Sequence, residues 1–225
     1  MVYHGASRRV VLFGGRDANG MLADTWSWDG DQWSPVASES ALTPRAGHAM
    51  AYDAEDESVL LFGGRGEAGD LLDDTWTFDG ATWTRHRVPT GPAAREGHAL
   101  AFDDVRKRTV LYGGRGTDGA LLDDTWEWTG RQWEARHLDV RPPARSSHAM
   151  AFDAAERVVV VFGGVGDDPL NDAWRWDGVA WKELVAMDPP SPRGAAAMTF
   201  DANRRRLMLF GGTTGGADTW ELRRP

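Results

Sequence analysis

The chain has 225 residues, 41% hydrophobic and 26% charged, which is typical of a globular protein that can bury a sizeable core. Its net charge of −9 argues against generic binding to nucleic acid or anionic membrane, because both need a basic surface. It contains no cysteine, so disulfides and thiolate metal sites are excluded. We see no export signal and no apolar run of about 18 residues. We therefore expect a soluble protein, with the cytoplasm as the default compartment and no nucleic-acid or membrane partner.

Predicted strands follow one another in a fixed order, seen most clearly in the second of several similar units. Residues 48–53 form a short apolar segment, and residues 59–62 form a β-branched and aromatic segment that a double glycine ends. Residues 75–78 alternate between polar and aromatic side chains. The Asp-Gly pair at 79–80 suits a tight hairpin turn, so the chain folds back into a fourth strand around Trp83. Each unit is therefore predicted to be a four-stranded antiparallel meander.

This unit recurs with a period of 48 to 50 residues along the chain. A Phe/Tyr-Gly-Gly triplet ends at Gly15, Gly64, Gly114, Gly164 and Gly212. A single meander has two faces that both need cover, and sheets stacked face to face around an axis bury them. The sequence thus predicts one all-β domain over 1–225, a five-bladed β-propeller. Its units run approximately over 1–44, 45–94, 95–144, 145–192 and 193–225.

The double glycine, the tryptophan that follows it and the period of roughly 50 residues resemble the kelch repeat, and the resemblance spans nearly the whole chain. It implies kelch-type four-stranded blades, similar to the central domain of galactose oxidase. The copper ligands of that enzyme include a cysteine, which this chain lacks, so copper-radical chemistry is excluded. No cofactor is expected.

The first and last units are incomplete, which leaves ring closure open. The first unit starts near the end of its first strand, and the last stops within its third strand. A closed five-bladed monomer is our first expectation. The alternatives are a segment of a longer protein with six or more blades, and a dimer in which two chains complete each other's strands.

Residues present in every unit are assigned to the architecture. All 12 tryptophans fall at repeat positions, which indicates packing between sheets. Arginine and aspartate also recur in almost equal numbers, and we expect them to form buried ion pairs that tie each blade to its neighbour. These residues are Arg45, Arg95, Arg145 and Arg193, with Asp24, Asp74, Asp124, Asp172 and Asp218.

Residues that differ between units are candidates for binding. Topology brings the loop after each double glycine to the same mouth of the channel as the start of each innermost strand. The basic and histidine residues predicted at this mouth are Arg16, Arg65, Arg115, His48, His98 and His148. Three arginines on an acidic protein can hold carboxylates or phosphates through bidentate hydrogen bonds. In kelch propellers that bind acidic peptides, basic residues after the double glycine contribute to the site.

The leading hypothesis is therefore a non-catalytic module that binds an acidic peptide, a partner protein or a small anionic molecule. The alternative is a small-molecule enzyme with its site in the central funnel. In that case His48, His98 and His148 would act as acid/base groups or as ligands of a divalent metal. The structural interpretation of the three histidines is a strand-end hydrogen bond to a neighbouring blade. Phosphate-loop, nucleophile-elbow and HExxH motifs are absent.

Overall fold

The computed structural model describes residues 1–37, 41–185, 189–213 and 216–222, and every regular element in these ranges is a β-strand. Blade 1 contains β1 (Val2–His4), β2 (Arg9–Arg16), β3 (Met21–Trp28) and β4 (Trp33–Val36). Blade 2 contains β5 (Arg45–Ala46), β6 (Ala49–Asp53), β7 (Ser58–Phe62), β8 (Arg65–Gly66), β9 (Thr75–Phe78) and β10 (Trp83–His86). Blade 3 contains β11 (Arg95–Glu96), β12 (Ala99–Asp103), β13 (Arg108–Tyr112), β14 (Arg115–Gly116), β15 (Thr125–Trp128) and β16 (Trp133–Arg136).

The last two blades follow the same plan. Blade 4 contains β17 (Ala149–Asp153), β18 (Val158–Val165), β19 (Pro169–Trp176) and β20 (Trp181–Leu184). Blade 5 contains β21 (Ala197–Asp201), β22 (Arg206–Phe210) and β23 (Thr219–Glu221). No helix that could span a membrane occurs in the described part of the chain.

Each blade is an antiparallel meander, which confirms the predicted all-β, five-bladed propeller. The strand orders are β1-β2-β3-β4, β6-β7-β9-β10, β12-β13-β15-β16, β17-β18-β19-β20 and β21-β22-β23. The short strands of blades 2 and 3 form two small extra sheets, β5 with β8 and β11 with β14. The register is continuous within each sheet, apart from a bulge at the double glycine in blades 1 and 4.

An aspartate ends the innermost strand of blades 2 to 5 and shapes the next turn. In blade 3, Asp103 Oδ1 accepts hydrogen bonds from the backbone amides of Val105 and Arg106, each at 3.0 Å. Such a side chain replaces a backbone acceptor in a tight turn. In blade 1 the position holds His4, whose Nδ1 accepts from the Ser7 amide at 3.1 Å. The imidazole therefore takes over the role that the carboxylate has in the other blades.

Consecutive blades bury hydrophobic clusters between them. One face of each sheet packs against the opposite face of the following sheet, so Val11 and Phe13 of blade 1 pack with Val59 and Leu61 of blade 2. Equivalent clusters join blades 2 and 3, 3 and 4, and 4 and 5. Burial of these faces is the main stabilising contribution to a stacked-sheet fold.

A tryptophan at the start of the fourth strand recurs at three of these interfaces. Its indole Nε1 donates to a threonine Oγ1 of the preceding blade, and its ring packs on an aromatic ring of that blade. The hydrogen bonds are Trp83 to Thr25 at 3.0 Å, Trp133 to Thr75 at 2.9 Å and Trp181 to Thr125 at 2.9 Å. The ring pairs are Phe13 with Trp83, Phe62 with Trp133 and Tyr112 with Trp181, with centroids 5.2 to 5.3 Å apart.

The two end faces of the row of blades remain exposed. Phe210 of blade 5 is 53% exposed, whereas the equivalent Phe62 of blade 2 is 0% exposed. On blade 1, the fourth-strand Trp33 is 43% exposed, whereas Trp133 is 3% exposed. Among the described residues, no hydrophobic cluster joins blade 5 to blade 1. In the described part of the chain, the five blades therefore form an arc whose ends do not pack together.

Candidate functional site

Four short segments that lead into the innermost strands form a row along the inner side of the arc, where the propeller channel lies. We call residues 45–48, 95–98, 145–148 and 193–196 the lead-in segments. Backbone hydrogen bonds connect them in order, from Gly97 N to Gly47 O at 2.9 Å, Ser147 N to Gly97 O at 2.6 Å and Ala195 N to Ser147 O at 2.7 Å. The third residue of every lead-in segment has a positive φ, between 54° and 68°. Glycine adopts this conformation most readily, and it is the residue found there in blades 2 and 3.

In blades 2 to 5, the residue after the double glycine lies beside the lead-in segment of the same blade. Arg65 pairs with Ala46, and Arg115 pairs with Glu96, in the two short extra sheets. In blade 4 the amide of Val165 donates to Ser146 O at 2.8 Å. Arg65 and Arg115 therefore lie at the end of the blades where the lead-in segments enter, and Arg16 lies at the corresponding turn of blade 1, opposite Met21.

Each lead-in segment starts with a fully buried arginine that binds an aspartate. Arg95 donates from Nη1 and Nη2 to the two carboxylate oxygens of Asp124 at 2.6 and 2.7 Å. It also donates to the carbonyls of Ala93 and Gly113, at 2.9 and 3.0 Å. The same arrangement occurs in the other three ion pairs, Arg45 with Asp74, Arg145 with Asp172 and Arg193 with Asp218.

The two side chains of each ion pair belong to one blade, but the backbone of the arginine is held by the preceding blade. Gly64 N donates to Arg95 O at 2.8 Å, and Arg95 N donates to Leu72 O at 3.2 Å. Each arginine therefore connects two neighbouring blades, with its backbone on one and its ion pair on the other. Arg95 precedes the first strand of blade 3, and Asp124 precedes the third strand of that same blade. The pair holds the lead-in segment against the double glycine of its own sheet. Asp24 of blade 1 has no arginine partner in the described ranges, and it accepts a hydrogen bond from Trp26.

The arginines keep the paired aspartates ionised. Burial raises the pKa of Asp124, but the hydrogen bonds and charge of Arg95 outweigh it and leave that pKa below its usual value. The pKa values of Asp74 and Asp172 are lowered by the same balance of effects. For Asp218, the hydrogen bonds from Arg193 and Trp220 lower the pKa to about 2.

The three arginines predicted at the mouth differ in their surroundings. Arg65 makes a two-point ion pair with Glu96 of the next blade, at 2.5 and 3.0 Å, and donates to Gly69 O at 2.6 Å. Arg115 donates to Gly119 O at 2.7 Å within its own loop. Arg16 is exposed. Within the described ranges, neither Arg16 nor Arg115 has a carboxylate partner.

Glu96 is a residue of this site that the sequence analysis missed. It occupies the second position of its lead-in segment, where the other blades have Ala46, Ser146 and Gly194. Since only one copy carries a charge there, comparison between units could have flagged it. Its carboxylate neutralises Arg65, so Arg16 and Arg115 are the two mouth arginines that form no ion pair in the described part of the chain.

Two aspartates in the neighbouring loops are occupied by their own turns. Asp17 Oδ1 accepts from the amides of Asn19 and Gly20 at 2.7 and 3.0 Å. Asp118 Oδ1 accepts from the amide of Ala120 at 2.9 Å. These carboxylates therefore shape the loops that present Arg16 and Arg115.

The three histidine rings face the preceding blade. His48, His98 and His148 pack edge to face on Phe13, Phe62 and Tyr112, with centroids 5.5 to 5.6 Å apart. Both ring nitrogens of His98 and His148 are buried without a hydrogen-bond partner in the described part of the structure. No group of three or more His, Asp or Glu side chains in that part is arranged to hold a metal ion.

Burial keeps these imidazoles neutral. It lowers the pKa of His148 to about 3, with a further contribution from Arg145. The pKa of His48 is also lowered to about 3, by burial and then by the amino terminus and Arg45. Burial is also the main cause that holds the pKa of His98 well below its usual value. The histidines therefore add no positive charge to the mouth at neutral pH.

The meander blades, the double-glycine bulges and the buried Arg–Asp pairs define a kelch-repeat propeller. Comparison with known proteins agrees. Residues 3–212 match the family described as the KLHDC2/KLHL20/DRC7 Kelch-repeats domain, and the chain belongs to that family.

A solved structure titled "Structure of YjhT" superposes with a TM-score of 0.72 at 14% sequence identity. The match covers 94% of this chain and 76% of that one, and at this identity it shows the fold alone. No curated protein sequence matches the chain.

Proposed function

We propose that this chain is a non-catalytic binding module that holds an acidic peptide segment across the channel mouth. The kelch-propeller fold is associated with protein or ligand binding in general. The observation that carries the finer proposal is a pair of guanidinium groups, those of Arg16 and Arg115, that have no carboxylate partner among the described residues of a chain with net charge −9.

The placement of these arginines favours an extended ligand. Arg16 belongs to blade 1 and Arg115 to blade 3, with the neutralised Arg65 on the blade between them. A peptide with carboxylates spaced along it can reach two separated guanidinium groups, whereas one small anion reaches one. Bidentate guanidinium–carboxylate hydrogen bonds supply the specificity.

The variant Arg16→Gln/Arg115→Gln is expected to bind a short Glu-rich peptide at least about tenfold more weakly than the unmodified chain at low salt, because hydrogen bonds to charged groups contribute about 1.5–3 kcal/mol each. Isothermal titration calorimetry measures this loss. The matched control is Arg8→Gln/Arg131→Gln, which changes the net charge equally at turns on the opposite end of the blades. If both double variants lose affinity equally, the peptide responds to overall charge and the assigned mouth is wrong. Inorganic phosphate that competes fully with the peptide would instead indicate a small-anion site.

Glu96→Gln is expected to strengthen binding of the same peptide. Loss of the carboxylate releases Arg65 from its ion pair and adds a third cation between Arg16 and Arg115. The gain should fade as salt is raised, since exposed charges are screened over about 8–10 Å near physiological ionic strength. Unchanged affinity at low salt in Glu96→Gln would mean that Arg65 lies outside the path of the ligand.

A further inference from the structure

In each of the first four blades, the chain after the double glycine turns back on itself as a short hairpin. The residue that follows the double glycine lies opposite an apolar residue, and the pairs are Arg16 with Met21, Arg65 with Leu71, Arg115 with Leu121 and Val165 with Pro169. In blade 3, Gly116 N donates to Ala120 O and Leu122 N donates to Gly114 O, both at 2.9 Å. Hydrogen bonds in these places flank a pair whose side chains approach more closely than any others in an antiparallel ladder. Each mouth arginine therefore has an apolar neighbour on its own face of the hairpin.

The apolar partners of the three arginines are only half-buried. Met21, Leu71 and Leu121 all keep part of their surface in contact with solvent. A large apolar side chain in such a position gains free energy when a ligand packs on it and removes the remaining solvent contact. The channel mouth thus offers apolar contacts as well as cations.

Blade 4 departs from the pattern, because Val165 occupies the place of the arginine. Its backbone is held as in the other blades: Val165 N donates to Ser146 O at 2.8 Å, and Ser146 N donates to Val165 O at 3.0 Å. Val165 is half-buried and its partner Pro169 is exposed. The substitution therefore changes the surface chemistry at an equivalent place, from a cation with an apolar neighbour to an apolar pair.

Two aspartates make blade 4 unfavourable for a carboxylate of the ligand. Asp167 and Asp168 are exposed in the turn that joins Val165 to Pro169. Gly166 N donates to Asp168 O at 3.0 Å, so the turn is tight and both aspartates stay next to the apolar pair. Their charges repel a carboxylate, whereas an apolar group meets no such penalty.

We propose that the acidic peptide bound at the channel mouth also carries a large apolar side chain, which packs on Val165 and Pro169. Its acidic residues bind Arg16 and Arg115. Because blade 4 directly follows blade 3, the apolar side chain lies next to the acidic residue that binds Arg115. This apolar subsite rests on the proposed function, and it adds the side-chain class that distinguishes one acidic segment from another.

Two peptides of equal charge test the subsite. One is a run of glutamates flanked by glycines, and the other is the same run flanked by leucines. The leucine peptide is expected to bind the unmodified chain at least about fivefold more tightly in isothermal titration calorimetry, because part of a leucine side chain leaves water. This leucine advantage should persist as salt is raised, while the affinity of both peptides falls, since salt screens charges and not apolar contact.

Val165→Arg introduces the residue type of blades 1 to 3 at the subsite. It should reduce the leucine advantage to less than about twofold and strengthen binding of the glycine peptide through the added cation. The matched control is Val179→Arg, which adds the same charge at a position that is 78% exposed on the opposite end of the blades. This control should keep the full leucine advantage. If Val165→Arg does not fold by circular dichroism, Val165→Ser takes its place and should reduce the advantage without a change of charge.

Equal affinity of the two peptides for the unmodified chain would overturn the apolar subsite. A leucine advantage that survives in Val165→Arg or Val165→Ser would overturn it too. In either case the proposed function would still stand if the glycine peptide binds the unmodified chain and loses affinity in Arg16→Gln/Arg115→Gln. Failure of both peptides to bind the unmodified chain would instead contradict the proposed function, and the subsite with it.

Discussion

Replacement of Arg95 by methionine is expected to lower the free energy of unfolding by about 1–3 kcal/mol, the usual cost of leaving buried hydrogen-bond acceptors without a donor, since the Asp124 side chain is itself 38% exposed. The guanidinium is 1% exposed and binds both oxygens of Asp124 and two backbone carbonyls. Methionine fills similar space but leaves all of these acceptors without their donor. Urea unfolding followed by tryptophan fluorescence measures the loss.

The control for this prediction is Arg131→Met, at an exposed turn of the same blade, which should change stability by less than about 0.5 kcal/mol. Asp124→Asn should also destabilise, since it removes the charge that compensates the buried arginine. An Arg95→Met protein within about 1 kcal/mol of the parent would show that the ion pair has little net effect on folding.

Stability is expected to fall steeply as the pH drops from about 6 towards 4.5. His48, His98 and His148 stay neutral in the folded chain because burial lowers their pKa values. The unfolded chain binds protons at these residues near pH 6.5, so acid favours unfolding. Each such histidine contributes a slope of about 1.4 kcal/mol per pH unit, and three together give about 4 kcal/mol per unit. This stability is fully present above pH 6.5.

Chemical denaturation at a series of pH values tests this slope. His98→Ala, which introduces the residue that blade 5 has at this position, should lower stability at pH 7.5 and reduce the slope by about a third. The exposed His137 serves as the control, and His137→Gln should leave the slope unchanged. An unchanged slope in His98→Ala would mean that carboxylates alone determine the acid response.

The architecture could be predicted because its determinants are local and repeated. Each Phe/Tyr-Gly-Gly triplet ends a strand, and each Asp-Gly turn starts a hairpin, so a short window of sequence specifies a blade. The partner of Arg95 could be predicted by type but not by location. Whether Asp124 of its own blade or an aspartate of the next blade binds it depends on how far the lead-in segment turns inward, which no local pattern encodes.

The candidate site was predicted less completely, for reasons of side-chain direction and charge balance. The sequence places His98 near the channel, but its ring turns sideways onto Phe62 of the preceding blade. A position in the repeat predicts where the backbone of a residue lies but not the direction of its side chain. Arg65 was expected to be an available cation, and the single glutamate that neutralises it, Glu96, belongs to another unit 31 residues away.

Because both side chains of each Arg–Asp pair belong to one blade, contacts that stabilise a single sheet can be distinguished from contacts that join neighbouring sheets. The ion pair stabilises each sheet internally, while neighbouring sheets are joined by tryptophan, by apolar contact and by the backbone hydrogen bonds of the lead-in segments. A unit that is gained or lost by duplication or deletion would keep its ion pair intact and would need a compatible outer surface and a matching lead-in segment on each side. The internal structure of a blade therefore permits different blade numbers. The outer faces of the first and last blades determine which number gives a stable assembly.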